Sequence, residues 1–160
     1  MLIMKKVLMI FLCALLMLTS ACGGGKTKEL NITELAEQIK ASGAFEENIS
    51  SNMEAMKASR AIKMYGAEEA DVADAAYYTC IGATAAEILI LQGTDEAAAK
   101  KLYELADDHL AELKASYENY APEEAKKVDN AVSQQYGKYV IIVVCANPDK
   151  AEAVITEATK

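Results

Sequence analysis

Five consecutive apolar residues, Val140-Ile141-Ile142-Val143-Val144, constrain this fold more than any other stretch of the chain. A strand that is apolar on both of its faces is central in a sheet, or covered on both sides. The spacing predicts that strand over Tyr139–Cys145. Two further runs are rich in strand-forming residues: Tyr77–Ile81, then Glu87–Leu91 after the break at Gly82-Ala83-Thr84. Their closeness predicts a β-hairpin.

Helical periodicity accounts for most of the rest. Asn31 followed three residues later by Glu34 is a capping-box pattern, and Leu35, Ala36 and Ile39 give the helix behind it an apolar face that ends near Ser42-Gly43. Ser51 and Glu54 repeat the pattern, so a second helix is expected through Met53, Met56, Ile62 and Met64 to the stop at Tyr65-Gly66. Glu68, Glu69, Asp71 and Asp74 then read as a solvated turn or short helix. A long helix is expected from Asp95 to Tyr117, with Ala98, Leu102, Leu105, Ala106, Leu110 and Leu113 as its buried stripe. Pro122 suits the first turn of another helix, running through Val128 and Val132 to Gly137. Asn147-Pro148 opens a last helix that buries Ala151, Val154 and Ile155. The resulting order is α-α-β-β-α-α-β-α. It predicts an α+β domain with a small, mostly antiparallel three-stranded sheet packed by helices.

The first 22 residues stand apart. Lys5 and Lys6 precede an unbroken apolar run from Val7 to Leu18, and Thr19-Ser20-Ala21 follows as a small-residue cleavage site. The run falls short of the roughly 20 apolar residues that a spanning helix needs. Leu18-Thr19-Ser20-Ala21-Cys22 resembles the lipobox of bacterial lipoproteins, although Thr19 replaces the usual Leu. That resemblance implies a diacylglyceryl group on the Cys22 thiol and cleavage in front of it. Two or more acyl chains anchor stably where one is marginal. The expected organisation is a signal peptide over 1–21, a lipidated Cys and flexible tether over 22–29, and a single domain over 30–160. Gly23-Gly24-Gly25 and Lys26-Thr27-Lys28 supply the tether. The Gly24-Gly25-Lys26-Thr27 stretch imitates the tail of a phosphate-binding P-loop. Ser20 stands where that motif requires glycine, and no strand precedes it.

Charge narrows the partners. The 160 residues carry 16 Lys+Arg against 24 Asp+Glu, and two of the lysines lie in the leader. Phosphate backbones and anionic lipid headgroups both repel a body so acidic, so no nucleic-acid partner is expected. After cleavage the remaining chain is one domain, too small for the two-lobed receptor of a solute transporter.

Few residues offer chemistry. Cys80 and Cys145 both fall late in expected strands. A disulfide joins them only if those strands are parallel neighbours that bring the Cα atoms within about 7 Å. Otherwise they pack as two buried free thiols, since cysteine behaves as a small hydrophobe. They form no Cys-x-x-Cys pair. His109, the sole histidine, sits near the edge of the long helix's buried stripe, without the spacing of a hydrolase triad or a zinc site. The acidic residues, Asp107-Asp108 and Glu123-Glu124 among them, read as a solubilising surface. Eight tyrosines against two phenylalanines and no tryptophan, Tyr65, Tyr77, Tyr78, Tyr117, Tyr120, Tyr136 and Tyr139 among them, suggest half-buried rings with wet hydroxyls. They finish the core's edges or line a patch for a peptide or glycan. No catalytic residue, cofactor or metal site is expected.

From Leu30 onward the chain resembles a family of small Gram-positive lipoproteins, the domain-of-unknown-function family 4358. The likeness is carried by Tyr65-Gly66 with the acidic segment after it, Tyr77-Tyr78 and Ala86-Glu87-Ile88-Leu89-Ile90. It continues through Tyr117, Tyr120-Ala121-Pro122, Asn130-Ala131 and Gly137-Lys138-Tyr139. The resemblance implies a location outside the cytoplasmic membrane and a domain shape. It implies no reaction. The expected role is a membrane-anchored, non-catalytic module that binds a protein, peptide or cell-wall component. The alternative is an extracytoplasmic enzyme or thiol-redox accessory protein.

Overall fold

A computed structural model describes residues 27–160. The leader, Cys22 and the glycine run lie outside the described residues. The described chain is α+β, with six helices and a five-stranded sheet. The elements are α1 (Ile32–Ala41), α2 (Glu47–Ser50), β1 (Glu54–Met56), α3 (Ala58–Met64), a 3-10 turn (Glu69–Asp71), β2 (Val72–Thr79) and β3 (Glu87–Gly93), followed by α4 (Glu96–Tyr117), α5 (Pro122–Asp129), β4 (Val132–Tyr136), β5 (Tyr139–Val144) and α6 (Pro148–Thr159).

The sheet order is β1-β2-β3-β5-β4, and every neighbouring pair is antiparallel. β5 lies between β3 and β4, and all six of its residues are buried. Helices cover both faces. Ile32, Leu35, Ala36 and Ile39 of α1 pack with Ala151 and Ile155 of α6 over Tyr78, Ile88, Ile90, Ile141 and Val143. On the other face Ala61 of α3 and Ala99, Leu102 and Ala106 of α4 pack over Tyr77, Leu89, Leu91, Val140 and Ile142. This two-sided cover is why β3 and β5 are apolar on both faces. Each fully buried Ile, Leu or Val contributes roughly 1.5–3 kcal/mol.

The three-stranded sheet and the order α-α-β-β-α-α-β-α are overturned by two strands that periodicity assigned to helices. β1 interrupts the expected helix from Ser51 to Met64. Three residues are too few for a period-two pattern to show, and Glu54, Ala55 and Met56 gain their extended form by pairing with Thr79, Tyr78 and Tyr77. β4 replaces the end of the helix expected from Pro122 to Gly137. That helix stops at Asp129, and Val132 instead pairs with Val143. Tyr136 pairs with Tyr139, so Gly137-Lys138 is a two-residue hairpin turn. Gly137 has φ +55°, a conformation that glycine adopts without steric cost.

Other expectations match the elements found. Asn31 caps α1 by accepting from Glu34 N–H, and Asp95 caps α4 by accepting from Ala98 N–H at 2.7 Å. β2 and β3 form the hairpin, with residues 80–86 as its loop. The strand begins earlier than composition suggested, at Val72, inside the segment read as an acidic turn.

Candidate functional site

The most polar constellation of the interior is built on Glu87, the first residue of β3, which is only 4% exposed. Glu87 lies opposite Thr79 of β2 and Val144 of β5. Alternation along β3 puts its side chain on the face of Leu89 and Leu91, beneath α3 and α4. Three side chains meet it there. Tyr65, which ends α3, donates its hydroxyl to Glu87 Oε1 at 2.8 Å. The Tyr77 hydroxyl lies 3.3 Å from Oε2 and is shared with the Met64 thioether at 3.1 Å. His109 of α4 brings Nε2 to 3.3 Å from Oε1. That contact lies off the line of a hydrogen bond, and Nε2 has no other partner. The imidazole rests on the Tyr65 ring, with centroids 4.1 Å apart.

Electrostatics keep this cluster in one protonation pattern at the phenols. Burial pushes the Tyr65 hydroxyl well above its ordinary range, and the neighbouring Glu87 carboxylate pushes it further. Burial raises Tyr77 as well, again with Glu87 adding to it. Both phenols therefore remain donors, and their bonds to Glu87 join β2, β3 and the end of α3. A shallow cleft of about 270 Å³ lies outside the cluster, lined by Met64, Tyr65, Gly66, Leu105, Asp108 and His109. Glu87 itself does not line that cleft.

The tyrosines do not assemble into a binding patch. Tyr65, Tyr77, Tyr78, Tyr117 and Tyr139 are buried, Tyr136 is half-buried, and only Tyr120 is exposed, at 65%. Ring burial in the sheet and under the helices outweighs the wet hydroxyls expected from composition. The hydroxyls of Tyr65, Tyr77, Tyr136 and Tyr139 find protein partners instead.

Cys80 and Cys145 carry free thiols. Their strands, β2 and β5, do run parallel to one another, but β3 lies between them. Two strand spacings separate them by about 10 Å, beyond the reach of a disulfide. Burial pushes the Cys145 thiol up to about 11, and it also raises Cys80. Both effects oppose thiolate chemistry. Among the described residues no group of three or more His, Cys, Asp or Glu side chains is arranged to hold a metal ion.

Residues 46–145 match the model of the family described as a domain of unknown function, DUF4358. The chain belongs to this family. No curated protein and no solved structure matches it. The matched span of the DUF4358 domain contains all five strands, helices α2–α5 and the whole Glu87 cluster. It excludes α1, α6 and the entry segment before α1.

One further carboxylate of the DUF4358 domain departs from the solubilising role expected of the Glu123-Glu124 pair. Glu124 accepts from Ala85 N–H at 2.8 Å, from the Thr84 hydroxyl at 3.0 Å and from Lys127 Nζ at 3.0 Å. Burial works to raise its pKa, but these donors together hold it below the usual carboxylate range. Lys127 also reaches Glu46 at 3.1 Å, so α5 is tied both to the β2–β3 loop and to the start of α2.

The entry segment is fastened to the β4–β5 turn. Lys28 N–H donates to the Tyr136 hydroxyl at 3.0 Å, and Leu30 N–H donates to the Tyr139 hydroxyl at 3.1 Å. Glu29 accepts from Lys138 Nζ at 3.0 Å and from the Tyr139 hydroxyl at 2.7 Å. The tether expected through residue 29 is thus bound to the domain from Lys28 onward. Sequence reasoning missed both Glu87 and this clamp. The available trace of the first was a single carboxylate in the otherwise apolar stretch Ala85–Leu91. Nothing local marked the second, because its partners are more than 100 residues apart.

Proposed function

We propose that this protein is a lipoprotein anchored through Cys22 on the outer face of the cytoplasmic membrane of a Gram-positive bacterium. Its DUF4358 domain serves as a non-catalytic binding or accessory module for a protein, peptide or cell-wall component. The anchoring half of the reading rests on the leader: its basic start, its apolar run and its lipobox-like end at Cys22. The observation that carries the non-catalytic half is how the Glu87 carboxylate is satisfied. Its two carboxylate oxygens are taken up by Tyr65 and Tyr77, and Glu87 is withheld from the nearby cleft. A carboxylate engaged in this way holds secondary structure together and leaves recognition to the surface.

In-cell crosslinking of the full chain in its own membrane tests the reading, against a Cys22→Ala control. One partner recovered in near-equal amount, and lost in the control, supports an anchored accessory subunit. Absence of any enriched partner overturns the accessory role. Intact-mass analysis of membrane-extracted protein tests the anchor separately, and a mass without lipid on Cys22 overturns it.

A further inference from the structure

We propose that the end of the domain bearing the β4–β5 turn is its membrane-facing surface, set against the lipid headgroups by the clamp on residues 28–30. The opposite end, bearing the β2–β3 loop, faces away from the bilayer. The inference rests on the lipid-anchor reading of Cys22 and adds a direction to it.

The two ends are defined by the fold. Gly137-Lys138, the end of β3 at Gly93 and the start of α4 lie together, joined by Gly93 N–H to Lys138 C=O at 2.7 Å and by Gln135 Nε2 to Glu96 C=O. At the other end Ala85 and Val144 cluster with Tyr117, the last residue of α4. The seven residues of β3 separate the ends by about 20 Å. The 22 residues of α4 extend about 33 Å.

The clamp decides which end the anchor serves. Lys28, Glu29 and Leu30 are all held by Tyr136, Lys138 and Tyr139, so the chain leaves the domain beside the turn. Thr27 packs so close to Gly137 that an added Cβ would meet its side chain at 2.5 Å. Five residues separate Cys22 from this point, counting Thr27. Whatever their conformation, they reach at most about 17 Å. If the β2–β3 loop end rested on the bilayer, the exit point would be lifted about 20–33 Å above it, beyond that reach. The far end carries Ile81, whose exposure of 87% is the highest among the large exposed apolar residues of the described chain.

Energy transfer to a headgroup-labelled lipid tests this orientation. The full lipidated chain in vesicles carries a donor at Ala97→Cys or at Ile81→Cys, both exposed positions, in a Cys80→Ser, Cys145→Ala background. Transfer several-fold more efficient from position 97 than from position 81 is expected. Equal transfer, or stronger transfer from position 81, overturns the orientation. Removing the clamp with Glu29→Ala, Tyr136→Phe and Tyr139→Phe together takes away every side-chain partner of residues 28–30 named above; it is expected to narrow the difference, and an unchanged difference refutes the clamp's role. Vesicle flotation separates the two readings: protein that fails to float contradicts the anchor, whereas protein that floats without the asymmetry contradicts only the orientation. If the cysteine-depleted background does not fold, donors on p-azidophenylalanine at the same two positions leave the native thiols in place.

Discussion

Replacing Glu87 by leucine isolates what the buried carboxylate does. The substitution keeps most of the volume, so the loss is mainly polar. Tyr65 gives up a charge-assisted hydrogen bond of 2.8 Å, and Tyr77 a longer one of 3.3 Å that it already shares with Met64. Hydrogen bonds to charged groups contribute about 1.5–3 kcal/mol, and the longer bond falls at the bottom of that range or below it. Two buried phenols are left without their acceptor, whereas the cost of burying a carboxylate disappears. The expected net destabilisation is about 2–3 kcal/mol, out of the 5–15 kcal/mol typical of a domain. Adding Tyr65→Phe and Tyr77→Phe to Glu87→Leu removes the stranded donors. The triple variant should recover most of the loss, because exchanging all members of a polar cluster for apolar groups of the same shape is close to neutral. Urea denaturation, read as a shift in midpoint at constant m-value, measures both effects. A single variant within 0.5 kcal/mol of wild type, or a triple variant less stable than the single one, would refute the argument that Glu87 stabilises through its tyrosines.

Further outcomes follow from the same contacts. Glu124 is held below the usual carboxylate range, so its stabilisation is present above the unfolded value of 4.5 and is lost as pH falls through the lower folded value. Glu124→Ala should flatten the acid limb of the stability curve, and urea midpoints across that range test it. Tyr65 and Tyr77 are raised, so their contribution is whole below the unfolded value of 10.0 and is lost as pH rises beyond it. Phenolate absorbance during an alkaline titration should therefore show these two rings ionising only as the domain unfolds. Thiol titration of the denatured, unreduced chain should count both Cys80 and Cys145 as free, with Cys80 reacting first in the native state because Cys145 is buried. A disulfide-linked peptide would contradict the strand order. Gly137→Ala should cost about 1–2 kcal/mol through its positive φ and its contact with Thr27, and should expose residues 27–30 to protease.

Local patterns in the chain carried much of the fold. The Asn31 and Asp95 caps, the long stripe of α4, the β2–β3 hairpin and the doubly covered β5 are all written in neighbouring residues, because helix and strand periods and capping act over a few positions. β1 and β4 were not legible in this way. Three residues cannot display alternation, and Val128 and Val132 share helical spacing although only Val128 is in a helix. Extended partners already in the sheet, β2 and β5, decide both cases by offering backbone hydrogen bonds. The site follows the same division. His109 at the edge of an apolar stripe could be read locally, but its meeting with Glu87, Tyr65 and Tyr77 depends on α3 and α4 packing over β2 and β3. The separation of Cys80 from Cys145 depends on the insertion of β3 between their strands. The clamp on Lys28–Leu30 depends on bringing the chain's entry beside a turn more than 100 residues later. The sequence by itself determined the helix caps, the long α4, the β2–β3 hairpin and the doubly covered β5. Tertiary packing decided which polar groups are neighbours, because burying them requires partners that no local stretch of this chain supplies.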